Sequence, residues 1–357
     1  MTRRIDVRIV TPFGAASGMG NWRTASRYAQ MLRAAGINAE VFEPHRMDDA
    51  RVEAGQRTVA IVLNAQRSAD EVAAFDRAGI PIMVVLTGTD LYTALQPNNA
   101  GSPTYQRAET SLARATLIVT LQQEAQQEVA TRWPHLADRV HVLLQTSPVR
   151  KPFAPVITPH SKTVRFMMAG HIRAEKDPRT GFRAFHQAFP QGWAHRADGG
   201  RAPVRLIHVG SYQDKTLMQE LLTLSANNPG ILVRGSLSHA ETMRLMTQVH
   251  CLVQPSISEG GALVIAEAVG CRLPVIASDI AAHRAQLGVD YPGLFHVGDA
   301  DALASLLTRF VGDAAFGDAL RQRHSELAAR LTSTAHERDE LVRLVRKLAE
   351  PLAKEGA

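Results

Sequence analysis

The sequence predicts two successive α/β domains, each a parallel sheet covered by helices. Three observations carry this expectation. Short apolar runs alternate with longer helix-like stretches along the chain, the pattern of a parallel sheet with helical crossovers. The alternation stops once, over residues 145–163, where Pro148, Pro152, Pro155 and Pro159 interrupt it, and then resumes. The length of 357 residues suffices for two domains of ordinary size, each with its own core.

Taken in order, residues 5–11 read as a buried strand, followed by a glycine-containing loop and a helix near 21–35 that ends at Gly36. Further strands are expected at 37–42, 58–63, 81–86, 116–120 and 139–144, with helices at 68–78, 104–115 and 122–131. This divides the chain into a first Rossmann-like domain (1–150), a linker (151–163), a second Rossmann-like domain (164–330) and a C-terminal helix (331–357). In the second domain, strands are expected at 164–169, 203–209, 230–234, 250–254, 273–277 and 293–297. Helices are expected at 178–189, 214–225, 238–247, 262–270 and 299–311. Residues 192–202, with Gly192, Asp198, Gly199 and Gly200, read as a surface loop. The C-terminal stretch, rich in Leu, Ala, Arg and Glu, predicts one long helix.

Composition narrows the function. Forty Lys and Arg against 34 Asp and Glu give a formal charge of +6. The basic residues are scattered, with no block interleaved with aromatics, so a nucleic-acid partner is not expected. Anionic small-molecule substrates account for the balance. No stretch approaches the roughly 20 apolar residues that span a bilayer, so no membrane partner is expected. The N-terminus, Met1-Thr2-Arg3-Arg4-Ile5, leads straight into a strand-like run without an apolar signal segment, and a cytoplasmic enzyme is the expectation. Cys251 and Cys271 are the only cysteines; both sit in apolar runs and are expected as reduced, buried thiols. No His/Cys/Asp spacing suits a metal. His45 reads as a surface-loop residue.

Two segments of the second half carry chemistry. The first is Gly170-His171-Ile172-Arg173-Ala174-Glu175-Lys176-Asp177-Pro178, just after a strand. Two cations in such a loop would neutralise charge on a departing diphosphate. The second runs from Pro255 through Glu259-Gly260-Gly261-Ala262-Leu263 to Glu267. A helix starting there would place Gly260, Gly261 and Ala262 in its first turn, where N–H groups lack helical partners and can bind phosphate. Glu267 lies just over two turns beyond Glu259, so both carboxylates would point towards one ligand. Carboxylates accept hydrogen bonds, and sugar hydroxyls are natural donors to them.

Together these segments resemble the EX7E and phosphate-clamp motifs of family-four retaining glycosyltransferases, which have the GT-B fold: two Rossmann-like domains facing a central cleft, with a C-terminal helix crossing back to the first. The resemblance implies a UDP-sugar donor and no cofactor or metal. It implies that Arg173 and Lys176 clamp the diphosphate, that Glu259 binds donor-sugar hydroxyls and that Glu267 binds the ribose. The backbone of Gly260, Gly261, Ala262 and Leu263 would meet phosphate, Ser236 and Leu237 the uracil, and His171 the phosphates or the sugar. Gly18 and Gly20, in the loop before the first helix, would let the backbone approach the donor.

The first half adds Arg8-Ile9-Val10-Thr11-Pro12, Ser17-Gly18-Met19-Gly20-Asn21-Trp22-Arg23, Leu63-Asn64-Ala65-Gln66-Arg67 and Leu86-Thr87-Gly88-Thr89-Asp90-Leu91-Tyr92. This set is similar to the selenosugar synthases of selenoneine biosynthesis, a divergent branch of the same superfamily, over residues 5–330. One departure is Asn64-Ala65-Gln66, where a basic residue is expected. The resemblance implies transfer of a sugar from UDP-N-acetylglucosamine or UDP-glucose to selenophosphate. That anion would be held by Asn21, Arg23, Asn64, Arg67, Thr87, Gly88 and Thr89, with Arg27 a lesser candidate. Asp90 would orient a donor-sugar hydroxyl or a neighbouring arginine, and joins Arg173, Lys176 and Glu259 as a catalytic candidate. Two alternatives stay open: a conventional family-four enzyme acting on a hydroxyl acceptor, and a nucleotide-sugar-binding regulator without catalysis.

Overall fold

The computed structural model describes residues 5–14, 20–43, 57–158, 161–196 and 198–350. The chain forms two compact units, Met1–Leu144 with Ala335–Ala357, and Gln145–Thr334.

The first unit is built on six parallel strands: β1 (Ile5–Val10), β2 (Asn38–Phe42), β3 (Arg57–Leu63), β4 (Ile82–Val85), β5 (Leu117–Thr120) and β6 (Val140–Val142), in the order β2-β1-β3-β4-β5-β6. Every residue of β4 and β5, and all of β3 after Arg57, is buried. This is why these strands read as unbroken apolar runs: a parallel sheet has helices on both faces. Helices α1 (Gly20–Ala34), α2 (Ala69–Arg77), α3 (Pro103–Arg114) and α4 (Gln123–Arg132) form the crossovers. One core joins Val7, Ile9, Tyr28 and Leu32; another joins Val62, Phe75, Val84 and Leu112. Asp90–Ala94 forms a short π-helical turn after β4.

The second unit repeats the plan. Its strands are β7 (Val164–Ala169), β8 (Trp193–His195), β9 (Arg201–Val209), β10 (Ile231–Val233), β11 (Cys251–Gln254), β12 (Val275–Ser278) and β13 (Leu294–Phe295). Six are parallel in the order β10-β9-β7-β11-β12-β13. The helices are α5 (Pro178–Ala188), α6 (Lys215–Ala226), α7 (His239–Met246), α8 (Leu263–Gly270), α9 (Ala281–Leu287), α10 (Ala300–Gly312) and α11 (Ala314–Leu331). Asp177, Asp214, Ser238, Asp299 and Asp313 cap five of them with side-chain oxygens. Phe166 on β7 packs against Phe185, Phe189 and Phe310 at the centre of the core.

Three expectations change. The loop expected over 192–202 is a hairpin: β8 pairs antiparallel with the start of β9, and Trp193 faces Pro203. The single C-terminal helix is two, α11 and α12 (Thr334–Leu348), separated after Leu331 where the Thr332 hydroxyl and N–H both turn back to the Ala328 carbonyl. Helix α9 was not expected, being a single short AAHRAQL stretch. The proline-rich segment lies along the second unit: Ser147, Arg150 and Ala154 donate their N–H groups to the carbonyls of Leu331, Gly270 and Cys271.

Helix α12 belongs to the first unit, as the resemblance implied. Leu341, Leu344, Val345 and Leu348 are buried in the core that contains Val7 and Leu32. Arg27 on α1 meets the buried Glu337 at 2.7 Å. Arg27 is therefore a structural anchor rather than an anion ligand.

Candidate functional site

In the second unit the two chemical motifs lie at the carboxyl ends of β7 and β11, which are hydrogen-bonded neighbours. Ligands in open parallel sheets bind at these ends. The loop after β7 is fixed at several points. Ile172 donates its N–H to the Ser211 carbonyl at 2.8 Å, and its own carbonyl accepts from Gln213. Lys176 closes a tight turn onto the Arg173 carbonyl, and Asp177, at φ 42°, starts α5 by accepting the Thr180 N–H. Glu175 contributes its carbonyl to the Ile257 N–H at 2.9 Å. The two motif loops are thus joined through their backbones before any side chain is considered.

Their side chains are joined as well. Lys176 Nζ lies 2.5 Å from Glu259 Oε1. The same oxygen accepts from Ser256 Oγ at 2.8 Å and Gln254 Nε2 at 3.1 Å. Burial alone would raise this carboxyl; the Lys176 charge, with hydrogen bonds from Lys176 and Ser256, outweighs it and holds Glu259 below the usual carboxylate range. Arg173 is partly buried, pairs with Glu175 at 3.2 Å, and keeps a buried Nε with no partner among the described residues. His171 Nδ1 lies 2.6 Å from Ser211 Oγ. Behind it His208 is buried, and desolvation pushes it down to about 4.

Two geometric expectations for the second motif need correction. Helix α8 starts at Leu263, and Ala262 precedes it at φ 47°, in the left-handed region. Gly260, Gly261 and Ala262 therefore form the turn before the helix, and the open N–H groups of the first turn belong to Leu263 and its successors. Glu259 and Glu267 also do not share a helix. Glu259 sits in the loop; Glu267 is on α8, 3% exposed, with its Oε1 3.1 Å from His239 Nε2. Gly261 is braced from below, its carbonyl accepting from the buried Gln286 of α9. Ser236 is exposed and Leu237 half-buried, in the turn after β10.

The sequence did not point to His239, His283, Gln254 or Ser256. The spacing Ser238-x-x-Glu241 marks His239 as a first-turn residue, but nothing local brings it to Glu267. His283 on α9 is fully buried beside Ser278, whose carbonyl lies 2.7 Å from Nδ1, and desolvation pushes it down to about 4.

In the first unit five of the seven expected anion ligands lie after β3 and β4, and Asn21 and Arg23 lie on α1. Asn64, at φ 70°, donates its amide to the hydroxyls of Thr87 and Thr89 at 3.1 and 3.2 Å. Its oxygen accepts the Arg67 N–H. Arg67 is exposed, with its guanidinium over the Phe13 ring at 4.9 Å. Gly88, at φ 115°, is buried between them.

Asp90 has a different role from the one expected. Its carboxylate is fully buried and accepts the N–H groups of Ala65, Thr87, Gly88 and Leu91 at 2.9–3.2 Å. Burial pushes it above the usual carboxylate range, against the pull of these donors. Asp90 ties the β3 and β4 loops together and presents no oxygen to a substrate. Gly20, Asn21 and Arg23 lie on the first turn of α1; Gly18 and His45 fall outside the described residues. Cys251 and Cys271 are free and buried, and desolvation pushes the Cys271 thiol up to about 11. Among the described residues no cluster of three or more His, Cys, Asp or Glu is arranged to hold a metal, and no helix is long and apolar enough to cross a membrane.

Residues 163–313 match the family described as glycosyl transferases group 1. Glycosyltransferase 1 domain-containing protein 1 of Xenopus tropicalis is 22% identical, over 77% of this chain and 79% of its own. HepE of Anabaena, solved with UDP and glucose, superposes with a TM-score of 0.74 at 14% identity, covering 96% of this chain and 99% of HepE. Sucrose-phosphate synthase of Thermosynechococcus elongatus gives 0.74 at 17% identity, covering 97% and 99%. The chain thus has the GT-B fold, and its residues 163–313 are similar to the group 1 glycosyltransferases.

Proposed function

We propose that this glycosyltransferase joins selenophosphate to the anomeric carbon of a UDP-sugar, either UDP-N-acetylglucosamine or UDP-glucose, and releases UDP. The observation that carries the donor half is the Lys176–Glu259 contact between two backbone-joined loops, with Arg173 beside it. Arg173 and Lys176 offset the charge that builds on the departing diphosphate, and the α8 first turn adds N–H donors. Glu259 orients the donor sugar through its hydroxyls, and Glu267 takes the ribose. The uracil lies against Ser236 and Leu237.

The acceptor half is supported by the first-unit loops. Asn64, Thr87 and Thr89 form a fixed polar cluster beside the exposed Arg67. A soft, ionised selenium nucleophile needs little general-base help, which suits a cluster of amide and hydroxyl groups. In the reaction the Se–C bond forms as the bond from the anomeric carbon to the diphosphate oxygen breaks. The electron pair leaves with UDP. Hydrolysis of the P–Se bond then gives phosphate and the free selenosugar.

The test is anaerobic incubation with each UDP-sugar, with and without selenophosphate, read by mass spectrometry. A product with the selenium isotope pattern, formed only with both substrates, is expected. UDP release that depends instead on an added hydroxyl acceptor would replace selenophosphate with that acceptor. UDP binding without turnover under either condition would leave a nucleotide-sugar-binding regulator.

A further inference from the structure

Glu267 places a carboxylate in the interior face of α8, 3% exposed, where an uncompensated charge is costly. His239 meets it at 3.1 Å from the first residue of α7, and its side chain remains 43% exposed. The imidazole is held there by a capping box. Ser238 Oγ accepts the Glu241 N–H, and Glu241 Oε2 accepts the Ser238 N–H at 2.8 Å. A carboxylate has only acceptors, so His239 must donate Nε2–H to it. Ser236 and Leu237 immediately precede the capping box that holds His239 against Glu267.

From this geometry we infer that His239 is a positioning residue for nucleotide recognition. It fixes the Glu267 carboxylate so that it accepts the cis-diol of a ribose, and it ties that carboxylate to the turn after β10. This rests on the reading of the second unit as a UDP-sugar site. The ligand class it selects is a nucleoside diphosphate with an intact ribose diol. Without His239 the carboxylate loses the N–H donor that ties its Oε1 to the turn after β10, so a ligand with the diol loses affinity. A ligand without the diol makes no use of Glu267 and loses nothing.

The test is calorimetric titration of the full chain with UDP and with 2′,3′-dideoxy-UDP. The unsubstituted protein should prefer UDP. His239→Ala should weaken UDP binding by about tenfold, ~1.4 kcal/mol, and leave dideoxy-UDP unchanged. His239→Gln, whose amide still donates, should restore most of the loss. Equal weakening of both ligands by His239→Ala would reduce the residue to a structural one, and no weakening of UDP would remove the role. Either result leaves the donor site standing if the unsubstituted protein binds UDP. Failure of that protein to bind UDP would overturn the donor reading first, and this inference with it.

Discussion

Asp90→Asn separates a structural carboxylate from a catalytic one. The native carboxylate divides four backbone N–H groups between its oxygens: Gly88 and Leu91 on Oδ1, Ala65 on Oδ2, and Thr87 on both. Asparagine has one carbonyl oxygen. Placed at Oδ1, it keeps Thr87, Gly88 and Leu91, but turns its NH2 towards the Ala65 N–H. One buried donor is orphaned, at about 1–3 kcal/mol, and the remaining bonds lose their charge assistance. Relief from burying a charge offsets part of this. A net loss of about 2 kcal/mol follows, which for a unit of this size lowers the unfolding midpoint by about 4–8 °C. Asp90→Ala orphans all four donors and should cost about 4 kcal/mol or more. The assay is thermal unfolding of the full chain by circular dichroism, with UDP affinity measured below the transition. The expected order is wild type above Asn above Ala, with UDP affinity unchanged. An unshifted midpoint together with abolished turnover would refute the anchoring argument and return Asp90 to the chemistry.

Three further outcomes are expected. His208, His250, His283 and His324 are buried, and desolvation pushes them down to about 4, 4, 4 and 3. Free histidine titrates near 6.5, so below that pH the unfolded chain binds more protons and stability falls as pH drops towards 4. The slope reaches about 5 kcal/mol per pH unit if all four titrate, and urea unfolding at pH 7, 6 and 5 should show it as a falling midpoint for the second unit. Gly210→Ala should destabilise by about 3 kcal/mol or more, because a Cβ there would lie 2.0 Å from the Gly170 carbonyl oxygen and displace the Arg173 loop; loss of UDP affinity in titration is the readout. Leu344→Ala, in the core shared by α12 and the first sheet, should cost about 2–5 kcal/mol in chemical denaturation; a neutral result would mean that α12 does not hold that core together.

The parallel sheets were legible because buried strands leave unbroken apolar runs and helices between them have capping residues. What the sequence hid was decided by contacts between distant segments. The β8–β9 hairpin is short and lies in a glycine-rich stretch, and Trp193 gains its strand geometry only by pairing with Pro203. The break between α11 and α12 falls at Thr332-Ser333-Thr334, a short stretch of low helix propensity that the surrounding Leu, Ala, Arg and Glu composition masks. Beyond it Leu341, Leu344 and Leu348 join the core of the first unit, a long-range packing that local pattern does not encode. Asn64 is the converse. Its left-handed φ lies within a tolerable range for asparagine, and the reason it is held there is a pair of threonine hydroxyls reached from another strand.

The same limit explains why two acids that look alike in sequence differ in the structure. Asp90 and Glu259 each follow a buried strand, in a loop of small and hydroxyl residues. Asp90 is fully buried and Glu259 partly buried, and burial acts to raise both. Asp90 is satisfied by backbone N–H groups, which cannot leave without unfolding the loop. Glu259 is satisfied by Lys176, Ser256 and Gln254 side chains, which can turn to other partners. A substrate hydroxyl can therefore reach Glu259 without displacing the main chain, while at Asp90 it would have to displace it. Residue type and spacing cannot distinguish these cases; the identity of the donors does. That difference is the physical ground for proposing Glu259, rather than Asp90, as the carboxylate that meets a ligand.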